Sequence, residues 1–150
     1  MKNLITTTTV IIIFSANIAL GEAEVVWQIG KTDRDYRDLA FPGNFNKYQQ
    51  AFPKDVNFVV GKSDPLKDFS AVHPGPADRW AGLRKHPFSI RFEMPAVTPG
   101  VYELQINLVD THINAPPSLQ ASVNGKIAQK ALARGAGERT ILHPETGKAR

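Results

Sequence analysis

A chain of 150 residues with 42% hydrophobic and 21% charged residues supports one globular core and excludes a disordered or collagen-like polymer. It has no cysteine, which excludes a disulfide framework and a thiolate metal site. The net charge of +4 comes from a basic tail after Gly125 that carries no aromatic residue, so the basic face with interleaved aromatics that binds nucleic acid is not expected.

In chain order, Met1 and Lys2 give a short cationic start before "VIIIFSANIAL" (residues 10–20), an apolar run too short to span a bilayer comfortably. Small residues come next, so residues 1–21 read as a secretory signal peptide cleaved after Gly21 or Ala23, and residues 22–150 as the mature module. The alternatives are an uncleaved anchor or a buried strand. A protein placed in this way is secreted or periplasmic, with no membrane contact after cleavage.

Strand signals dominate the chain beyond Ala23. "EVVWQIG" (residues 24–30) and "VNFVVG" (residues 56–61) are short β candidates. In "FSIRFEMP", Phe88, Ile90, Phe92 and Met94 alternate with polar residues; in "VYELQINLVD", Tyr102, Leu104, Ile106 and Leu108 do the same, so each strand has one wet face. The intervening "PAVTPG" (residues 95–100) predicts a turn joining them as an antiparallel pair. "SLQASVNG" (residues 118–125) places Leu119, Ala121 and Val123 on one face, and Asn124-Gly125 predicts a type I′ hairpin into "KIAQKAL". Short strands without a convincing helix predict an all-β sandwich. Two long connections, residues 31–54 and 61–87, hold most of the remaining aromatics, prolines and acids, and loops of that length are functional or irregularly packed.

Chemistry-bearing motifs are sparse. His73, His86, His112 and His143 each lie beside a proline or at a strand end, and none belongs to a zinc-protease, hydrolase-elbow, phosphate-loop or dinucleotide pattern. Asp110 and His112, two apart, share a face and read as a polar pair fixing a strand end rather than a catalytic pair. Asp33, Asp35 and Asp38 could take calcium, but the spacing is not that of an EF-hand and Arg34 and Arg37 compensate them, so no cofactor is expected. Trp80 in "HPGPADRWAGLRKHPF" (residues 73–88) has a flat face that suits a pyranose, with Asp78, Arg79 and His86 nearby for hydroxyls or carboxylates. The competing and preferred expectation is that Trp80 folds down as a plug over the end of the sandwich. Trp27 reads as core.

The segments "VWQIGKTDRDYRDL", "VNFVVGKSDPLKDFSAVHPGPADRWAG", "HPFSIRFEM", "GVYELQINLVDTH" and "PPSLQASVNG" together resemble the carbohydrate-binding-like third domain of rhamnogalacturonan lyases, polysaccharide lyase family 4. The resemblance covers about residues 25–140 and implies a galactose-binding-like jelly roll. It also implies a role beside a catalytic domain that cleaves pectin by β-elimination. In that family the catalytic lysine and histidine lie on a separate domain, so no catalytic residue is carried over. A jelly roll has eight strands, whereas about six are legible, so the module is expected to be incomplete at its C-terminus, with an open sheet edge and a mobile tail beyond about residue 132.

The function expected first is therefore a secreted non-catalytic module that binds pectic polysaccharide or oligosaccharide, or buttresses a lyase catalytic domain. A small enzyme acting on acidic sugars through Asp110, His112 and Arg79 is the second reading. An envelope protein–protein interaction domain using the open edge is the third.

Overall fold

The computed structural model describes residues 10–17, 24–41, 45–94, 96–97 and 99–135. Its strands are β1 (Val10–Asn17), β2 (Glu24–Ile29), β3 (Val56–Val59), β4 (Phe88–Arg91), β5 (Val101–Leu108), β6 (Ser118–Val123) and β7 (Lys126–Ala131). Two four-residue helices, α1 (Tyr48–Ala51) and α2 (Pro65–Asp68), and 3₁₀ turns at Phe45–Lys47 and Arg79–Ala81 lie in the long connections. The protein is all-β, and the described sheets are small and open: β2-β1-β5, β3-β4 and β6-β7.

The apolar run assigned to an export signal is, in the whole chain, the middle strand of the largest sheet. Its backbone pairs antiparallel with β5 from Val10↔Leu108 to Asn17↔Val101, and antiparallel with β2 from Ile12↔Ile29 to Ala16↔Glu24. Val10, Ile11, Ile12 and Ile13 are β-branched, the residue type that a doubly flanked strand accommodates best.

The alternation expected of β4 and β5 holds: Phe88 and Ile90 are half-buried between exposed Ser89 and Arg91, and Tyr102, Leu104 and Ile106 pack against the core. Their pairing differs from expectation. β4 lies parallel to β3, Val56↔Phe88 to Val59↔Arg91, while β5 takes β1 as its partner. Past Arg91 the chain leaves the ladder because Phe92 packs on Trp27, ring centroids 5.2 Å apart, and the two prolines of residues 95–99 remove donors that a hairpin ladder would need.

Much of the core comes from the connections rather than the strands. Tyr36, Leu39, Tyr48, Phe69, Val72 and Trp80 are buried beside Ile29, Val56 and Phe58. A run of edge-to-face rings joins Phe45 to Trp80 (5.2 Å), Trp80 to Tyr48 (5.3 Å) and Tyr48 to His86 (5.6 Å), the arrangement that aromatic quadrupoles favour. Asp64 caps α2, its Oδ1 accepting from the Leu66 N–H at 3.0 Å with Pro65 in the first turn, so the chain turns into the core at Phe69.

The β6–β7 turn has Asn124 at φ 49° and Gly125 at φ 81°, the left-handed pair that a type I′ hairpin needs. A Cβ at Gly125 would meet nothing within 4 Å, so Gly125→Ala carries only the backbone penalty. It is expected to cost about 1–2 kcal/mol, read as a lower urea midpoint with unchanged slope. All six residues of β7 are exposed. The expected mobile tail lies, from residue 136 on, outside the described residues.

Candidate functional site

The loop from His73 to Pro87 is tied together by one carboxylate. Asp78, fully buried, accepts the Gly75 N–H at 2.6 Å through Oδ2 and the Trp80 indole N–H at 3.1 Å through Oδ1. Two donors that burial would otherwise strand are thereby satisfied. Trp80 is 7% exposed and sits as a plug between Phe45 and Tyr48, and its carbonyl accepts from Gln49 Nε2 at 3.2 Å. At Gly82, φ 96°, the backbone turns out again.

His73 and His86 close the other end of the loop. The His73 Nε2–H donates to the His86 carbonyl at 2.6 Å, which fixes its tautomer, while the His73 ring stacks on Phe88 at 4.2 Å. Burial pushes the His73 imidazole below its ordinary range. His86 is 5% exposed; burial foremost, then the nearby Arg84 and His73, lowers it to about 4. Both rings are neutral at pH 7. Arg79 is exposed, so of the four residues singled out for sugar, three are buried and one faces solvent.

Asp110 and His112 lie past the end of β5. His112 Nδ1 accepts the N–H groups of Asn114 (3.1 Å) and Ala115 (2.9 Å), so the ring holds a turn closed. Of the three acids considered for calcium, Asp33 accepts the Asp35 N–H at 2.9 Å, Asp35 is gripped by the Arg37 guanidinium at 2.6 Å, and Asp38 is half-buried, its carboxyl pushed up by burial. Among the described residues no three acids or histidines gather as metal ligands, and no helix is long and apolar enough to cross a membrane.

A concavity lies beside the loop. A groove of about 840 Å³ runs between β4 and β5 on one side and the β6–β7 hairpin on the other. Trp27, Ile90, Phe92 and Leu104 supply apolar and aromatic lining, and the exposed Lys85, Gln120, Ser122 and Asn124 supply polar groups. His73 and His86 border it; Trp80, Asp78, Arg79, Asp110 and His112 do not. Sequence reading singled out the aromatic loop and missed the groove, because its walls come from segments far apart in the chain. The signal available was the strand alternation, which puts Ser89, Gln120 and Ser122 on wet faces.

An aromatic-lined groove with hydroxyl and amide groups and one cation has the chemistry of a sugar-facing surface, since ring C–H faces stack on aromatics and hydroxyls bond to the rim. No curated protein and no solved structure matches the chain. A family model does, over residues 25–146, and its description is CBM-like, polysaccharide lyase family 4, domain III. That span takes in β2 to β7, the plugged loop and the groove, and the chain belongs to this family of carbohydrate-binding-module-like accessory domains.

Proposed function

We propose that this chain is a secreted, non-catalytic module that holds acidic pectic chains in the groove beside the His73–Pro87 loop, beside or on behalf of a lyase. The observation that carries the reading is the groove itself: a half-buried aromatic and aliphatic lining of Phe92, Ile90 and Leu104 with Lys85 at its edge, in a domain of CBM-like family. Stacking on the floor would hold the sugar ring, Gln120, Ser122 and Asn124 would meet hydroxyls, and the Lys85 ammonium would meet a uronate carboxylate. Asp78, Trp80 and His86 serve by holding the loop in shape, and Arg79 offers a second exposed cation on it.

Titrating oligomers of the rhamnogalacturonan backbone into the protein and measuring the heat of binding tests this directly. Lys85→Gln is expected to weaken binding of acidic oligomers about fivefold, the effect of one partly solvated ion pair, and to leave neutral oligomers unaffected. Equal weakening of both, or no response to any glycan, would count against the groove as the site.

A further inference from the structure

The charge of the β6–β7 hairpin lies on one of its two faces. Cross-strand partners share a face, and the register pairs Val123 with Lys126, Ala121 with Ala128 and Leu119 with Lys130. That face is the one turned to the groove. Leu119 and Ala121 are half-buried and line the groove from β6. Leu132 continues the ladder, its N–H donating to the Pro117 carbonyl at 3.0 Å, and lines the groove from the lysine side of the second strand. Ile127, Gln129 and Ala131 occupy the opposite face and carry no charge.

Nothing nearby in the chain neutralises these lysines. From Ile113 to Gly135 the sequence has no Asp, no Glu and no aromatic residue, and neither ammonium reaches a carboxylate among the described residues. Both are exposed, with the rest of β7. Lysines on an edge strand act against pairing with a second copy of the chain. The lack of an aromatic removes the stacking platform that single-stranded nucleic acid uses. The face has instead two parallel lanes, an apolar one of Leu119, Ala121 and Val123 and a cationic one of Lys126 and Lys130 with the small Ala128 between them. Such a surface suits a ligand that offers C–H faces to one lane and carboxylates to the other.

We infer that this face of the hairpin is a second binding strip, continuous with the groove, for an acidic glycan chain. Sugar rings lie over Leu119, Ala121 and Val123, and Lys126 and Lys130 each take one uronate carboxylate. The two lysines are about 13 Å apart along the extended strand, so the carboxylates they hold belong to different sugars of one chain. The strip therefore selects by the length of an acidic chain and not by its charge alone. The inference rests on the glycan reading of the groove and adds to it the residues that recognise a second and a third acidic sugar.

Calorimetric titration of the full chain with rhamnogalacturonan-backbone oligomers that carry a single uronate, and with longer ones that carry several, separates the strip from the groove. Lys126→Gln combined with Lys130→Gln is expected to weaken the long oligomers about tenfold, the joint effect of two solvent-exposed ion pairs, and to leave the single-uronate oligomer and the urea midpoint unchanged. Adding Ile127→Lys and Gln129→Lys restores the net charge on the opposite face, and this variant should bind long oligomers as weakly as the neutralised one. If it binds them like the parent, net charge explains the affinity and the strip is overturned. Equal weakening of short and long oligomers would also overturn it, and so would poly-glutamate bound by the parent as tightly as the glycan, which would make the partner an acidic polypeptide. Long oligomers weakened by Lys85→Gln and not by the hairpin variants would overturn the strip and leave the groove reading intact. No binding of any oligomer by the parent would overturn both.

Discussion

Trp80→Ala is expected to lower stability by about 3–5 kcal/mol, the cost of emptying a large aromatic site that cannot collapse. The side chain is 7% exposed and sets its edges against Phe45 and Tyr48, so removing it leaves a void under the loop. It also withdraws the indole donor from the buried Asp78 Oδ1. Trp80→Phe, which keeps a ring and loses only the N–H, should cost markedly less. Denaturant midpoints of the two variants and of Asp78→Ala, combined in a double-mutant cycle, would show a Trp80–Asp78 coupling of about 0.5–3 kcal/mol. A Trp80→Ala protein as stable as the parent but unable to bind glycan would instead make Trp80 an exposed sugar platform.

The second large effect is on pH. The folded-state value of His86 lies at about 4, below the ordinary histidine value, and that of His73 is shifted the same way. As pH falls below about 6.5 the unfolded chain takes up protons that the folded chain refuses. The stability tied to these neutral rings is therefore fully present above pH 6.5 and is lost as pH falls towards 4. For His86 alone the linkage is on the order of 3 kcal/mol across that window. Urea melts at pH 7, 6 and 5 should show the decline before most carboxylates titrate, and His86→Gln should flatten it. A midpoint independent of pH over that range would mean that both rings are freely solvated.

The strands were legible because alternation is local. Phe88 and Ile90, Tyr102 and Leu104, and the Asn124-Gly125 turn each declare themselves within a few residues. Partnership was not legible. Nothing in "FSIR" states that its neighbour is the parallel "VNFV", because the two strands are joined through Phe69, from the connection between them, whose ring packs on both Phe58 and Phe88. The plug over the sandwich was readable from the bulk of Trp80, whereas the Asp78 bridge needed a two-residue turn geometry that composition does not encode. The groove was the least readable, since Trp27, Lys85, Leu104 and Ser122 are brought together only by the tertiary fold.

The parallel alignment of β3 and β4 bears on how the molecule forms. Parallel neighbours cannot be joined by a tight turn, so the ladder from Val56 to Val59 closes only after the connection through Phe69, Asp78 and His86 has been brought round. Loop-closure entropy is met before the ladder's bonds can repay it, which places this pairing late and makes acquisition of the native state slow for a chain of this size. A newly made chain thus spends its most vulnerable interval with the strand edges of Val56–Val59 and Phe88–Arg91 uncovered and open to self-association.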